Sequence, residues 1–387
     1  MSASQPNVAQ LAMAASDTSC WTADHVRMIA RQHASTSPLI ATADFARISP
    51  TFDIWDAWPL QEPGGHPAPL ADGSTLWMAL GSPRFSDPDE RHTHARIHIL
   101  HAKDGAWIHL GPAMPEGFSP GSREWSGSAV LEPDSCQVTL YFTATGRRGQ
   151  SCVTFEQRIF STTATLTEGD GRPSLQDWSG LKEIVLRDPA HYMASDSGRA
   201  EPGAIKAFRD PSFFLDPADG ASYLLFAASA ANSRSEFNGV VGLAQSDLEA
   251  PTGWRTLPPL ISADGVSNEL ERPHVIARGG RYYLFWSTQQ QVFDPQGPTG
   301  PTGLYGMVAD DIRGPWLPLN GSGLVFANPS EAPRQAYSWL VLPDLRVISF
   351  VDDWGIDRPP GEARRFGATF APVLHLALDE DSAKLAG

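Results

Sequence analysis

The chain has 387 residues, of which 41% are apolar, 34 are Gly and 33 are Pro, and it carries a formal charge of −15. Such acidity excludes the clustered Lys and Arg that nucleic acid and anionic membrane surfaces require, and favours a neutral substrate. The length fits two domains or one large all-β domain, and the surplus of Gly and Pro implies many turns between short strands.

Residues 1–20 are small and polar and read as a loosely docked arm, with residues 21–387 forming a single domain. The arm lacks the basic start and apolar centre of a secretory signal. No segment approaches the 18 apolar residues of a membrane span. Thr22 is placed to cap a short helix over residues 23–30. Strands follow at 74–81, in a hairpin at 95–111 turning on Lys103-Asp104-Gly105, and at 137–146 and 153–160. Further strands are expected at 223–229, 240–244, 281–288, 303–309 and 346–353. Gly, Pro, Asp and Asn punctuate the gaps.

A weak repeat runs through this pattern. I-W-D-A-W-P-L (54–60), E-W-S-G-S-A-V (124–130), F-R-D-P-S-F-F (208–214) and E-L-E-R-P-H-V (269–275) each precede a strongly apolar strand, with starts roughly 60 to 85 residues apart. That is the length of a four-stranded blade with long loops, so the fold class is all-β, a β-propeller behind a short N-terminal helical arm. The innermost strands of a propeller line one central funnel, so polar residues repeated at blade starts converge.

Asp56, Asp210 and Glu271 are the carboxylates that would meet there. Paired carboxylates are the equipment of glycoside cleavage, about 5–5.5 Å apart in an enzyme that retains configuration. Glu269 and Glu271 fall on one face of a strand, and their repulsion raises one pKa, as a general acid requires. Arg209 would point away from Asp210 on a regular strand, and only a bulge would bring both to a ligand. Trp55 and Trp58 flank Asp56 as a stacking surface.

Taken in order, these four motifs resemble glycoside hydrolase family 68, the levansucrases, inulosucrases and related β-fructofuranosidases, over roughly residues 45–355. The resemblance implies a five-bladed β-propeller that cleaves sucrose with retention and passes fructose to water, sucrose or fructan. It further implies Asp56 as nucleophile, Asp210 as transition-state stabiliser and Glu271 as acid/base. Trp55, Trp125, Ser126 and Arg209 resemble fructosyl-site residues, Glu269 and Arg272 contacts to the glucosyl side, and Tyr337 a supporting tyrosine. Two departures stand out: Ala227 where related enzymes carry a carboxylate, and Gln289 where they tend to carry Arg or His. Both point towards a more hydrolytic β-fructofuranosidase making short products; a non-catalytic sugar-binding propeller is the rival from outside the enzymes. An extracellular location follows from the substrate alone.

No cofactor is indicated. Some relatives hold a structural Ca²⁺, but no Asp or Asn cluster here calls for one. His92, His94 and His98 would share one face of a regular strand, as a transition-metal site or simply a polar face. Ser126 lacks the elbow pattern of a nucleophilic serine. Cys136 and Cys152 leave room for one disulfide, the alternative being buried free thiols.

Overall fold

The computed structural model describes residues 18–31, 35–169, 172–197, 205–355 and 364–386. Residues 1–17 of the expected arm lie outside the described residues. Twenty strands fall into five groups of four. The first group is Phe52–Gln61, Thr75–Pro83, Arg96–Lys103 and Ala106–Pro112; the second is Arg123–Leu131, Gln137–Thr145, Gln157–Gly169 and Arg172–Val185. The third is Phe208–Leu215, Ser222–Ser229, Gly239–Ser246 and Trp254–Ser262; the fourth is Glu271–Arg278, Arg281–Thr288, Gly303–Ala309 and Leu324–Ala327. The fifth is Ala336–Val341, Arg346–Val351, Leu374–Asp379 and Ser382–Leu385.

Consecutive strands within each group pair antiparallel, and the first strand of each group lies against the first strand of the next, the fifth returning to the first. This radial repetition is the expected β-propeller. The inner strands are buried on both faces, which is why they read as near-continuous apolar runs interrupted by a few polar residues. The rim strands read differently. Arg172–Val185 carries Pro, Gly and four charged residues because it is an edge strand, and its composition hid it from a search for apolar alternation.

The first described residues are clipped to the ring. Ser19–Cys20 pairs parallel with Trp254–Ser262, and Ser35–Thr36 pairs parallel with Leu324–Ala327. The helix Ala23–Ile29 lies between them, and at its start the Thr22 backbone N–H donates to His25 Nδ1 at 3.1 Å. Trp21 is 1% exposed; its indole N–H reaches the Ser322 carbonyl, and its ring packs against Trp286, Phe293 and Tyr305.

Among the described residues, side chains and loop backbone close the seam between the fifth group and the first. Ile54 N–H donates to the Ala368 carbonyl, Thr369 Oγ1 donates to the Ala46 carbonyl, and Arg47 bonds the Gly367 carbonyl. Beneath them Ile54, Ala57, Trp77 and Leu100 share a core with Leu342, Ile348 and Phe370.

Two local expectations are corrected. His92 and His94 lie in and just after a 3-10 turn, Pro88–Thr93, while His98 lies on the following strand and meets His109 at 2.7 Å, so the three imidazoles do not share a face. Among the described residues no group of three or more His, Cys, Asp or Glu is arranged to hold a metal ion. Cys136 precedes strand Gln137–Thr145 and Cys152 follows it; a nine-residue strand separates them by about 30 Å, and both are exposed free thiols.

Trp21→Ala is expected to cost about 3–5 kcal/mol, because a fully buried indole and its hydrogen bond are lost. Urea unfolding measures the loss, and faster amide exchange across Ser35–Thr36 locates it.

Candidate active site

Every inner strand slips register at the residue the sequence singled out. The breaks fall between Trp55 and Trp58, Trp125 and Gly127, Arg209 and Ser212, Glu271 and His274, and Tyr337 and Leu340. In four of the five the backbone turns left-handed at a non-glycine residue: Asp56 (φ 48°), Asp210 (φ 62°), Arg272 (φ 50°) and Ser338 (φ 62°). The second strand has Gly127 at its break, where an added Cβ would lie 1.9 Å from the Tyr141 carbonyl oxygen. A bulge re-aims neighbouring side chains that a flat strand would send to opposite faces. This is how Arg209 and Asp210 come together, with Nε 3.4 Å from Oδ2.

The five bulges form one cluster. Ser126 Oγ donates to Asp56 Oδ2 at 3.2 Å. Arg209 Nη2 lies 3.3 Å from Glu269 Oε1 and 4.0 Å from Glu271 Oε1, and its guanidinium sits 5.9 Å from the Trp125 ring centre. Tyr337 donates to Glu271 Oε2 at 2.5 Å. Thr143 ties two strands together, accepting from Asp210 N–H and donating to the Ser126 carbonyl.

Burial governs the charges here. Burial pushes the Glu271 carboxyl up to about 8; Arg209 opposes this, and Glu269, Asp210 and Asp56 reinforce it. Asp210 is pushed up to about 6 by burial, with Arg209 again opposing and Asp56 reinforcing. Burial also works against the Arg209 charge, yet Glu269, Asp210 and Glu271 raise its pKa overall. Arg209 Nη1 and Asp210 Oδ2 are buried and lack hydrogen-bond partners, as does the Trp125 indole N–H. A polar ligand with several hydroxyls would satisfy all three.

Arg272, expected as a contact to the glucosyl side, also braces the strands that carry the site. Its guanidinium donates to the Ala57 carbonyl at 2.6 Å and to Ser338 Oγ at 2.8 Å, tying the first, fourth and fifth inner strands. Its charge also acts on Asp210, holding that carboxyl down against burial. Gln289 follows strand Arg281–Thr288, half-buried and within hydrogen-bonding reach of Tyr337. Ala227 is buried and pairs across the sheet with Arg209.

The sequence reading missed the wall beside Trp55. Arg91, 4% exposed, stands with its guanidinium 5.6 Å from the Trp55 ring centre and 4.2 Å from that of Phe366. His92 meets the edge of Trp55, and burial and then the Arg91 charge hold its imidazole well below the usual range. Arg364 reaches Asp89 and Asp352 in the same wall. The signal was present in D-P-D-E-R-H, where Asp87 caps a turn that begins with Pro88, but it does not alternate like a strand.

Chemically, the cluster offers a carboxylate held by a serine, a second carboxyl that keeps its proton past neutrality, and a third beside a guanidinium. That set suits nucleophilic attack, protonation of a leaving oxygen and stabilisation of a developing cation.

Comparison with known proteins agrees. A family described as Levansucrase/Invertase matches residues 11–240 and 235–386. A levansucrase of Pseudomonas savastanoi pv. glycinea is 31% identical over 398 residues, covering 93% of this chain and 88% of that protein. An inulosucrase from Halalkalicoccus jeotgali, solved bound to kestose, superposes with a TM-score of 0.87 at 34% identity, covering 96% of each chain. The catalytic domain of a Microbacterium saccharophilum K-1 β-fructofuranosidase shares the fold at 24% identity, with a TM-score of 0.85 over 96% of this chain and 91% of that one.

The raised Glu271 pKa sets a pH dependence of stability. An unfolded chain releases this proton near pH 4.3, whereas the folded site holds it to about 8, so Glu271 lowers stability progressively as pH rises between those values. Arg209→Met removes the opposing cation and is expected to carry the decline beyond pH 8, read as urea midpoints against pH.

Proposed function

Because the chain belongs to the levansucrase/invertase family, we propose that it cleaves sucrose at this cluster and transfers the fructosyl group, with retention, to water, sucrose or a growing fructan. The carrying observation is the pairing of Glu271, protonated to about pH 8 under its Tyr337 hydrogen bond, with Asp56 held by Ser126 in the same buried cluster.

The geometry supports the following roles. The fructosyl ring lies against Trp55 and Trp125. Asp56 attacks its anomeric carbon while Glu271 protonates the oxygen that leaves with glucose. A fructosyl-Asp56 ester results, and the Glu271 carboxylate then takes a proton from the acceptor that displaces Asp56. Asp210 and Arg209, with their unpartnered polar atoms, hold fructosyl hydroxyls and stabilise the oxocarbenium-like transition state. Glu269 and Gln289 face the glucosyl side. No step needs a metal or cofactor.

The pH profile follows with its sign. Activity needs Glu271 protonated, so it falls as pH rises through about 8; it needs Asp210 ionised, so it falls as pH drops through about 6. Glu271→Gln is expected to lower kcat by roughly 10²–10⁴-fold and abolish the alkaline fall. Tyr337→Phe moves that fall to higher pH, since the lost hydrogen bond favours the carboxylate. Asp56→Asn is expected to abolish glucose release, and near-normal release from the folded variant would overturn the assignment.

The deciding assay follows free glucose and free fructose from sucrose in one tube. Glucose counts every cleavage, and fructose counts only transfer to water. Glucose in excess establishes transfer. Equal release makes the enzyme a hydrolase, as Ala227 and Gln289 suggest. Absence of both removes sucrose as the substrate.

A further inference from the structure

Lys206 is 8% exposed, stands four residues before Asp210 and carries no part of the chemistry above. Its ammonium has three protons and meets three acceptors. These are the Glu236 carbonyl, Asn238 Oδ1 at 2.9 Å and Asn268 Oδ1 at 2.7 Å. A buried ammonium is tolerated only when so matched. The acceptors lie on separate segments. Glu236 and Asn238 precede strand Gly239–Ser246 of the third group, and Asn268 leads through Glu269 into Glu271, the start of the fourth. The Lys206 segment is itself fixed on the second group's side, where Gln157 Nε2 donates to the Lys206 carbonyl at 3.0 Å and Gln157 Oε1 accepts from Phe208 N–H at 3.0 Å. Asn268 Nδ2 returns to the Ile205 carbonyl at 3.3 Å.

The link therefore spans the joint across which Arg209 and Asp210 face Glu269 and Glu271. The strands at this joint do not pair, and Arg209 crosses it inside the site, 3.3 Å from Glu269 and 4.0 Å from Glu271. We propose that Lys206 is a positioning residue that fixes the acid-bearing strand against the stabiliser-bearing strand, setting the distance from Arg209 and Asp210 to Glu269 and Glu271. The proposal rests on the fructosyl-transfer reading. Its charge matters as well as its bonds. Lys206 faces Glu236 and Glu269, and Glu269 is among the groups facing Glu271, the others being Arg209, Asp210, Asp56 and Tyr337.

The test uses the full chain, with kcat and KM for sucrose measured across the pH range for wild type, Lys206→Met and Lys206→Arg. Lys206→Met is expected to lose roughly ten- to a hundredfold in kcat with little change in KM, because displaced catalytic groups slow the reaction more than they weaken binding. Its alkaline fall should move to higher pH, since Glu269 loses a facing cation and further disfavours ionisation of Glu271. Lys206→Arg keeps the charge, but a planar guanidinium cannot meet three acceptors set around an ammonium. It should stay slow with its alkaline fall near the wild-type position, and it serves alone if the Met variant does not fold. Wild-type kcat in either folded variant, with only a lowered urea midpoint, would make Lys206 a fold residue and overturn the proposal. A wild-type enzyme that leaves sucrose intact would overturn the fructosyl-transfer reading along with it.

Discussion

The site depends on breaking five strands at matching points. A regular strand sends successive side chains to opposite faces, so a propeller of unbroken inner strands would present alternate residues to its funnel and hide the rest. Here each inner strand is bulged at its functional residue, and four of the bulges use a left-handed turn at a non-glycine residue. Such a turn costs of order 1–3 kcal/mol and persists only where the surroundings hold it. The holding contacts are visible: Thr143 on Asp210 N–H, Arg272 on Ala57 and Ser338, and Ser128 Oγ between the Pro211 carbonyl and Phe213 N–H. The polar residues between strands therefore maintain the strain that exposes the reactive ones.

The electrostatics follow from that crowding. Asp210, Glu269 and Glu271 gather around the Arg209 guanidinium, with Asp56 close enough to act on them and the Arg272 charge also acting on Asp210. Ionising every carboxyl in so desolvated and crowded a site is costly, and Glu271 keeps its proton furthest, to about 8. Glu271 is the carboxyl at the longer 4.0 Å distance from Arg209, and Glu269, Asp210 and Asp56 all add to the effect of its burial. The general acid is thus produced first by burial and then by the neighbouring carboxyls, with Tyr337 hydrogen-bonded to it.

Much of this was legible beforehand for a physical reason. Inner strands are constrained on both faces, so I-W-D-A-W-P-L and its three counterparts stood out against ordinary alternation. The fifth inner strand, A-Y-S-W-L-V, was not recognised as a repeat because it contributes a hydroxyl in place of a carboxylate and lacks the polar opening of the others. Arg272 carries more than its place beside Glu271 suggested: from a left-handed backbone it also ties neighbouring strands through Ala57 and Ser338. Arg91 was hidden, and His92 was read on a strand face, because a 3-10 turn and not a strand delivers both to Trp55. Lys206 was hidden because nothing in the pattern of a chain announces three distant acceptors.

The clipping of residues 18–36 to the third and fourth groups has a consequence for the birth of the molecule on the ribosome. These are the first described residues to be made, yet the strands they pair with, Trp254–Ser262 and Leu324–Ala327, emerge more than two hundred residues later. Trp21 has no hydrophobic seat until Trp286, Phe293 and Tyr305 exist. The leading segment must stay undocked while most of the ring is synthesised. Its arrival fastens groups that are already built, so vectorial synthesis makes Ser19–Cys20, Trp21 and Ser35–Thr36 among the last parts to dock.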